Sequence, residues 1–202
     1  MQHDSLGDLE AIVDVSSLDA RFHHRIWERP KKGLSLAKLL PRVRGLFLEL
    51  LDAELRKRTF DAPLYALALV VDGEAYDHLL PPRVHVATVN ERAKFLAKHP
   101  KRARDFLWSP PEWEEKNAFS AWDERMKALV TPANHILWTT EKHGEAMKLA
   151  HTLAKELNAT DLPVERDPDF VVFACELDGE DGASGIAKAA PAKLRKRLAP
   201  LL

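Results

Sequence analysis

The sequence predicts an α+β fold, a mostly antiparallel β-sheet covered by α-helices, and three stretches carry that prediction. Residues 64–71 (Leu-Tyr-Ala-Leu-Ala-Leu-Val-Val) are apolar or aromatic without interruption, residues 83–89 alternate, and residues 170–177 are again apolar on both faces. Successive side chains of a strand point to opposite faces, so the first stretch needs cover on both sides, as an inner strand does. Tyr65, Leu67, Leu69 and Val71 fall on one face, and Leu64, Ala66, Ala68 and Val70 on the other. Pro63 before it and Asp72-Gly73 after it bracket a length that suits a strand better than a buried helix.

With 202 residues and a hydrophobic fraction of 46%, the chain can bury one substantial core without covalent staples. Residues 1–33 read as an N-terminal helical extension and residues 34–202 as a single α+β domain. In the extension, residues 8–15 suit a short helix. Ser17 suits an N-cap for a second helix, 18–28, with Phe22, Ile26 and Trp27 on its apolar stripe. Arg29-Pro30-Lys31-Lys32-Gly33 ends it.

Residues 41–58 carry Val43, Leu46, Phe47, Leu50, Leu51 and Leu55 at helical spacing, with Pro41 placed for a first turn. The strand at 64–71 follows, then a loop at 72–82 closed by Pro81-Pro82. In the second strand, 83–89, Val84, Val86 and Thr88 form the drier face, and His85 falls on the wetter one. An antiparallel pairing with the first strand is the economical reading. Thr88 with Glu91, or Asn90 alone, can cap a basic helix reaching Lys98.

Trp108-Ser109-Pro110-Pro111-Glu112-Trp113 reads as a helix start: Ser109 as cap, Pro110 at the first position, Glu112 completing a capping box, and the tryptophans as a staple. The helix is expected to continue through Phe119, Trp122, Met126 and Leu129, with a break near Asn117. Residues 135–140 suit either a short strand or a helix lead-in. A helix at 145–158 is clear from Ala146, Ala150, Leu153, Ala154 and Leu157. The third strand, 170–177, runs into the turn Asp178-Gly179-Glu180-Asp181-Gly182, and a basic helix at 191–198 closes the chain.

Leu64-Tyr65-Ala66-Leu67-Ala68-Leu69, Ala87-Thr88-Val89-Asn90-Glu91, the tryptophan motif at 108–113, and the late strand running into Asp178 and Ser184 together resemble the bacterial domain-of-unknown-function 4303 family over residues 36–191. The family favours Leu-Asn-Pro after the serine, where this chain has Ala189-Ala190-Pro191. The resemblance implies a bacterial origin and this fold. Proteins of this kind are plausible neighbours of toxin genes, which implies an immunity role as an expectation.

Several chemistries find no signature. Cys175 is the single cysteine, set mid-strand among apolar neighbours, which excludes an internal disulfide and a cysteine-built zinc site and suits an inert thiol. His143 and His151 lie eight apart, two helical turns, and the adjacent His23 and His24 point apart, so no metal site is expected. Glycine-rich phosphate loops and the serine-hydrolase elbow are missing, and no cofactor is expected. The apolar runs are too short to span a membrane and the first residues are acidic where a secretory signal is basic, so a soluble, cytoplasmic protein is expected.

Net charge is -1, but its distribution is uneven. Arg92, Lys94, Lys98, Lys101, Arg102 and Arg104 follow one another with no acid between them, with Phe95 and His99 interleaved. Residues 161–181 hold eight acids against Arg166. Three readings of function follow. The first is a non-catalytic protein-binding module, immunity- or antitoxin-like, whose partner-facing acids are Asp167, Asp169, Asp178, Glu180 and Asp181 and whose partner is basic, such as a nuclease-like toxin. The second is a small hydrolase or transferase drawing on Glu112, His135 or His143. The third is a basic-helix nucleic-acid binder, against which the near-zero net charge weighs. The sequence leaves the oligomeric state open.

Overall fold

The computed structural model describes residues 33–73, 79–114, 118–177 and 182–202. The two expected helices of the extension lie outside them. The fold is α+β, as the apolar stretches require, but the sheet is mixed. Strand order is β3-β2-β1-β4, where β1 is Leu64–Val71, β2 Arg83–Thr88, β3 Ala118–Phe119 and β4 Arg166–Glu176. The first strand pairs with β2 antiparallel (Leu67 opposite Val86) and with β4 parallel (Leu67 opposite Val172). The expectation of a mostly antiparallel sheet is therefore corrected. The long crossover of helices between β1 and β4 lets the chain return in the same direction, which a hairpin cannot do.

Both faces of β1 are covered, yet the division of its side chains is not simple alternation. Leu64, Leu67, Leu69 and Val71 lie in one core, and Tyr65, Ala66, Ala68 and Val70 in the other. The register slips between Leu64 and Ala66, where three residues of β1 span two of β2. This β-bulge moves Tyr65 to the face opposite the one that strict alternation assigns it.

The first core packs against three helices: α1 (Leu36–Lys57), then α4 (Glu124–Thr139) and α5 (Gly144–Asn158) further along. The first of these begins five residues before Pro41, which lies exposed inside the helix, while Leu39, Val43, Phe47, Leu51 and Leu55 are buried. Residues 135–139 close α4 as helix, with Thr140 as its C-cap. The second core is covered by α2 (Val89–Lys98), α3 (Ala103–Leu107), α6 (Gly182–Ala189) and α7 (Ala192–Leu198).

The expected helix at Pro110 is one 3-10 turn, Pro110–Glu112, after which Trp113 is extended. The Ser109 side chain caps nothing there, and α4 starts afresh behind Asp123, whose carboxylate accepts from the Met126 amide at 2.9 Å. Trp122 is 42% exposed rather than part of a buried stripe. The tryptophans at 108 and 113 are buried against the sheet, and that packing outweighs the local helix-start signal.

As an edge strand, β4 would offer unpaired backbone groups to other chains. The amide of Asn158 accepts from Val172 N at 2.9 Å and donates to Val172 O at 2.7 Å. Beyond it, α6 lies so close that a Cβ on Gly185 would stand 2.1 Å from the Ala174 carbonyl oxygen. Helix and amide together close the edge.

Candidate functional site

The bulge at Tyr65 organises the densest polar cluster on the second face. Its ring meets the edges of Trp108 and Trp113, with centroids 5.8 and 6.1 Å away, and both tryptophans also meet Phe173. These arrangements place positive ring edges on negative faces. Each polar atom of the group has a backbone acceptor: Tyr65 donates to Leu107 O at 3.0 Å, Trp108 to Leu201 O at 2.7 Å and Trp113 to Phe106 O at 3.1 Å.

Thr88 and Glu91 form the expected capping box at the start of α2. One carboxylate oxygen of the buried Glu91 accepts from Thr88 N at 2.8 Å, and the other accepts from Glu114 N at 2.9 Å. The same side chain thus starts a helix and anchors the chain beyond Trp113. The next residue, Arg92, places its guanidinium 5.5 Å from the Tyr65 ring centroid and forks onto Asp167 at 2.9 and 3.3 Å.

Asp167 and Asp169 lie where β4 spends five steps, from Arg166 to Val171, against two steps of β1. The excess residues form an irregular, bulged stretch of the strand in which Asp167 accepts from Asp169 N at 2.9 Å. From the other side, Arg197 of α7 pairs with Asp169 at 2.9 Å and donates to Pro168 O. Two acids expected to face a partner are thus held by the chain's own basic helices. Asp178, Glu180 and Asp181 lie outside the described residues. Since β1 and β4 are parallel, with Val71 opposite Glu176, the two strands end at the same end of the sheet.

Burial pushes the Tyr65 hydroxyl well above the usual tyrosine range, the Glu91 carboxylate adds to this, and Arg92 opposes it. A phenol that keeps its proton and donates it to a carbonyl is no general base. The cluster does the work of connection: it joins β1, α2, the tryptophan segment and β4.

The residues considered for catalysis are not brought together. Glu112 is exposed in the 3-10 turn of the tryptophan segment, whereas His135 and His143 belong to α4 and the start of α5, across the sheet. His143 stacks on Trp138 with centroids 4.7 Å apart. His85, expected on a wet face, is 9% exposed, because its face of the sheet is covered by the tryptophan segment and the helices around it. Cys175 is fully buried. Among the described residues, no three of His, Cys, Asp and Glu converge as a metal site, and no helix is long and apolar enough to cross a membrane.

The bridging role of Glu91 and the clamp made by Asn158 were missed in the sequence. The capping-box spacing signals half of the first, and nothing local signals the second. Comparison of the chain with models of known families, with curated proteins and with solved structures gave no match.

Proposed function

We propose that this chain is a non-catalytic protein-binding module of the bacterial cytoplasm, immunity- or antitoxin-like, that recognises a basic partner through its acidic segment after β4. One observation carries the reading: the ionisable groups of the buried cluster, Tyr65, Glu91, Arg92 and Asp167, are hydrogen-bonded to the protein itself. Groups so engaged hold a scaffold together and have little left to offer a substrate. The resemblance to the domain-of-unknown-function 4303 family, on the residues quoted above, supports a bacterial origin.

Pairing of Asp167 and Asp169 with Arg92 and Arg197 moves the proposed contact to Asp178, Glu180 and Asp181. These three acids follow β4 directly in the sequence, where Asp178-Gly179-Glu180-Asp181-Gly182 carries a turn signal. Carboxylates there would steer a basic protein and speed association more than they tighten the complex. The test is to capture a partner from a bacterial host and measure association with the variant carrying Asp178→Lys, Glu180→Lys and Asp181→Lys. A fall of about tenfold in association rate at low ionic strength, vanishing at high salt, is expected. An unchanged rate removes this surface from the proposal.

A further inference from the structure

Outside the Tyr65 cluster, the corner between α2 and α3 carries a second group of rings, of which Phe95 also packs against the second core. The imidazole of His99 lies flat on Phe106, with centroids 4.2 Å apart and planes 19° apart. Phe95 is stacked with Phe106 at 5.9 Å, also at 19°, and the Arg102 guanidinium stands 5.9 Å from the Phe106 centroid. All three rings are only partly buried, and Leu96 beside them is 40% exposed.

The cations of this run divide into two groups. Arg92, Lys94 and Arg102 are committed to Asp167, Glu114 and Asp105. Lys98, Lys101 and Arg104 are exposed and make no ion pair among the described residues. They surround the ring pile in sequence, with no acid between Arg92 and Arg104. The small net charge of the whole chain conceals this local excess, because the acids lie in other segments.

We propose that the α2–α3 corner binds single-stranded nucleic acid, with bases stacking on the His99 and Phe106 pile and phosphates meeting Lys98, Lys101 and Arg104. A single strand exposes the base faces that a duplex hides, and half-exposed rings on a segment that also carries the exposed Lys98, Lys101 and Arg104 match its alternation of base and phosphate. The proposal rests on residues of α2, α3 and the link between them and does not depend on the partner reading.

The test uses the full chain and a fluorescein-labelled oligothymidylate of about 15 nucleotides, followed by anisotropy across a salt series. Duplex DNA of equal length and a polyglutamate peptide serve as competitors. Binding is expected at about 0.05 M salt, weakening steeply as salt rises, with the single strand preferred to the duplex. The variant with Lys98→Glu, Lys101→Glu and Arg104→Glu should lose at least about tenfold in affinity, and its log-log salt slope should flatten by about 2. His99→Ala should lose about tenfold, and His99→Phe should retain binding. Melting curves of the charge variant, whose changes are exposed, should match those of the parent protein. Absence of binding at low salt, equal binding by the charge variant, or polyglutamate competing as well as the oligonucleotide would each overturn the proposal, the last in favour of an acidic protein.

Discussion

Tyr65 shows how one side chain's environment sets a measurable property of the whole chain. Free tyrosine ionises near pH 10, whereas burial beside Glu91 holds the Tyr65 hydroxyl well above that. Below about pH 10 native and unfolded states both keep this proton, so the group adds no pH dependence there. Above it the unfolded chain releases the proton and the native state retains it. Stability then falls by up to about 1.4 kcal/mol per pH unit. Tyr65→Phe removes the donor to Leu107 O and should cost about 1 kcal/mol at neutral pH. That deficit should shrink as pH rises past about 10, because the variant lacks the alkaline slope. Urea unfolding of both proteins at neutral and alkaline pH measures it, and a constant difference would contradict the burial of the hydroxyl. The aromatic character of Tyr65 was legible in the sequence. Its face was not, because a bulge shifts the alternation and depends on a partner strand that local sequence does not reveal.

Elements form where pattern and packing agree and change type where they conflict. The basic helix after Thr88 starts where the capping box places it, since Glu91 is correctly spaced and nothing tertiary opposes it. The helix read at Pro110 stops after one turn, because burying Trp108 and Trp113 on the sheet takes the chain out of helical geometry at residue 113. Close packing likewise gives two helical glycines opposite roles. Gly45, on the exposed side of α1, has nothing within 4 Å of the place a Cβ would take, whereas at Gly185 in α6 the Ala174 carbonyl oxygen is 2.1 Å from it. Gly45→Ala should therefore stabilise by about 0.5 to 1 kcal/mol through helix propensity alone. Gly185→Ala must push α6 off the edge of β4 and should destabilise by at least about 1 to 3 kcal/mol. Paired denaturant midpoints check both signs, and a neutral Gly185→Ala would mean that α6 does not seal that edge. Both are glycines inside helices, and what separates their roles is the tertiary packing around each.

At the scale of the molecule, the sheet divides the chain into two layers, and the division explains which parts of the sequence were readable. Two-faced burial of residues 64–71 follows from their composition and holds for all eight residues in the structure. The direction of β4 does not follow from composition, since parallel and antiparallel buried strands are equally apolar and the connection decides. Likewise, the acids at 167 and 169 could be read as partner-facing because their cations, Arg92 and Arg197, lie far away in sequence on two different helices. The parallel ladder joins equally distant segments, with Leu67 opposite Val172 and Val70 opposite Cys175, so opening it requires the crossover helices to detach. Native-state amide exchange should therefore give the inner strand β1 and the paired part of β4 near the global unfolding free energy. The short β3 and α7, at the margins of the fold, should exchange through smaller openings. If β1 exchanged as fast as α7, its burial between two layers would be wrong. If β4 alone exchanged fast, the helix and the Asn158 clamp at its outer edge would not hold it in place.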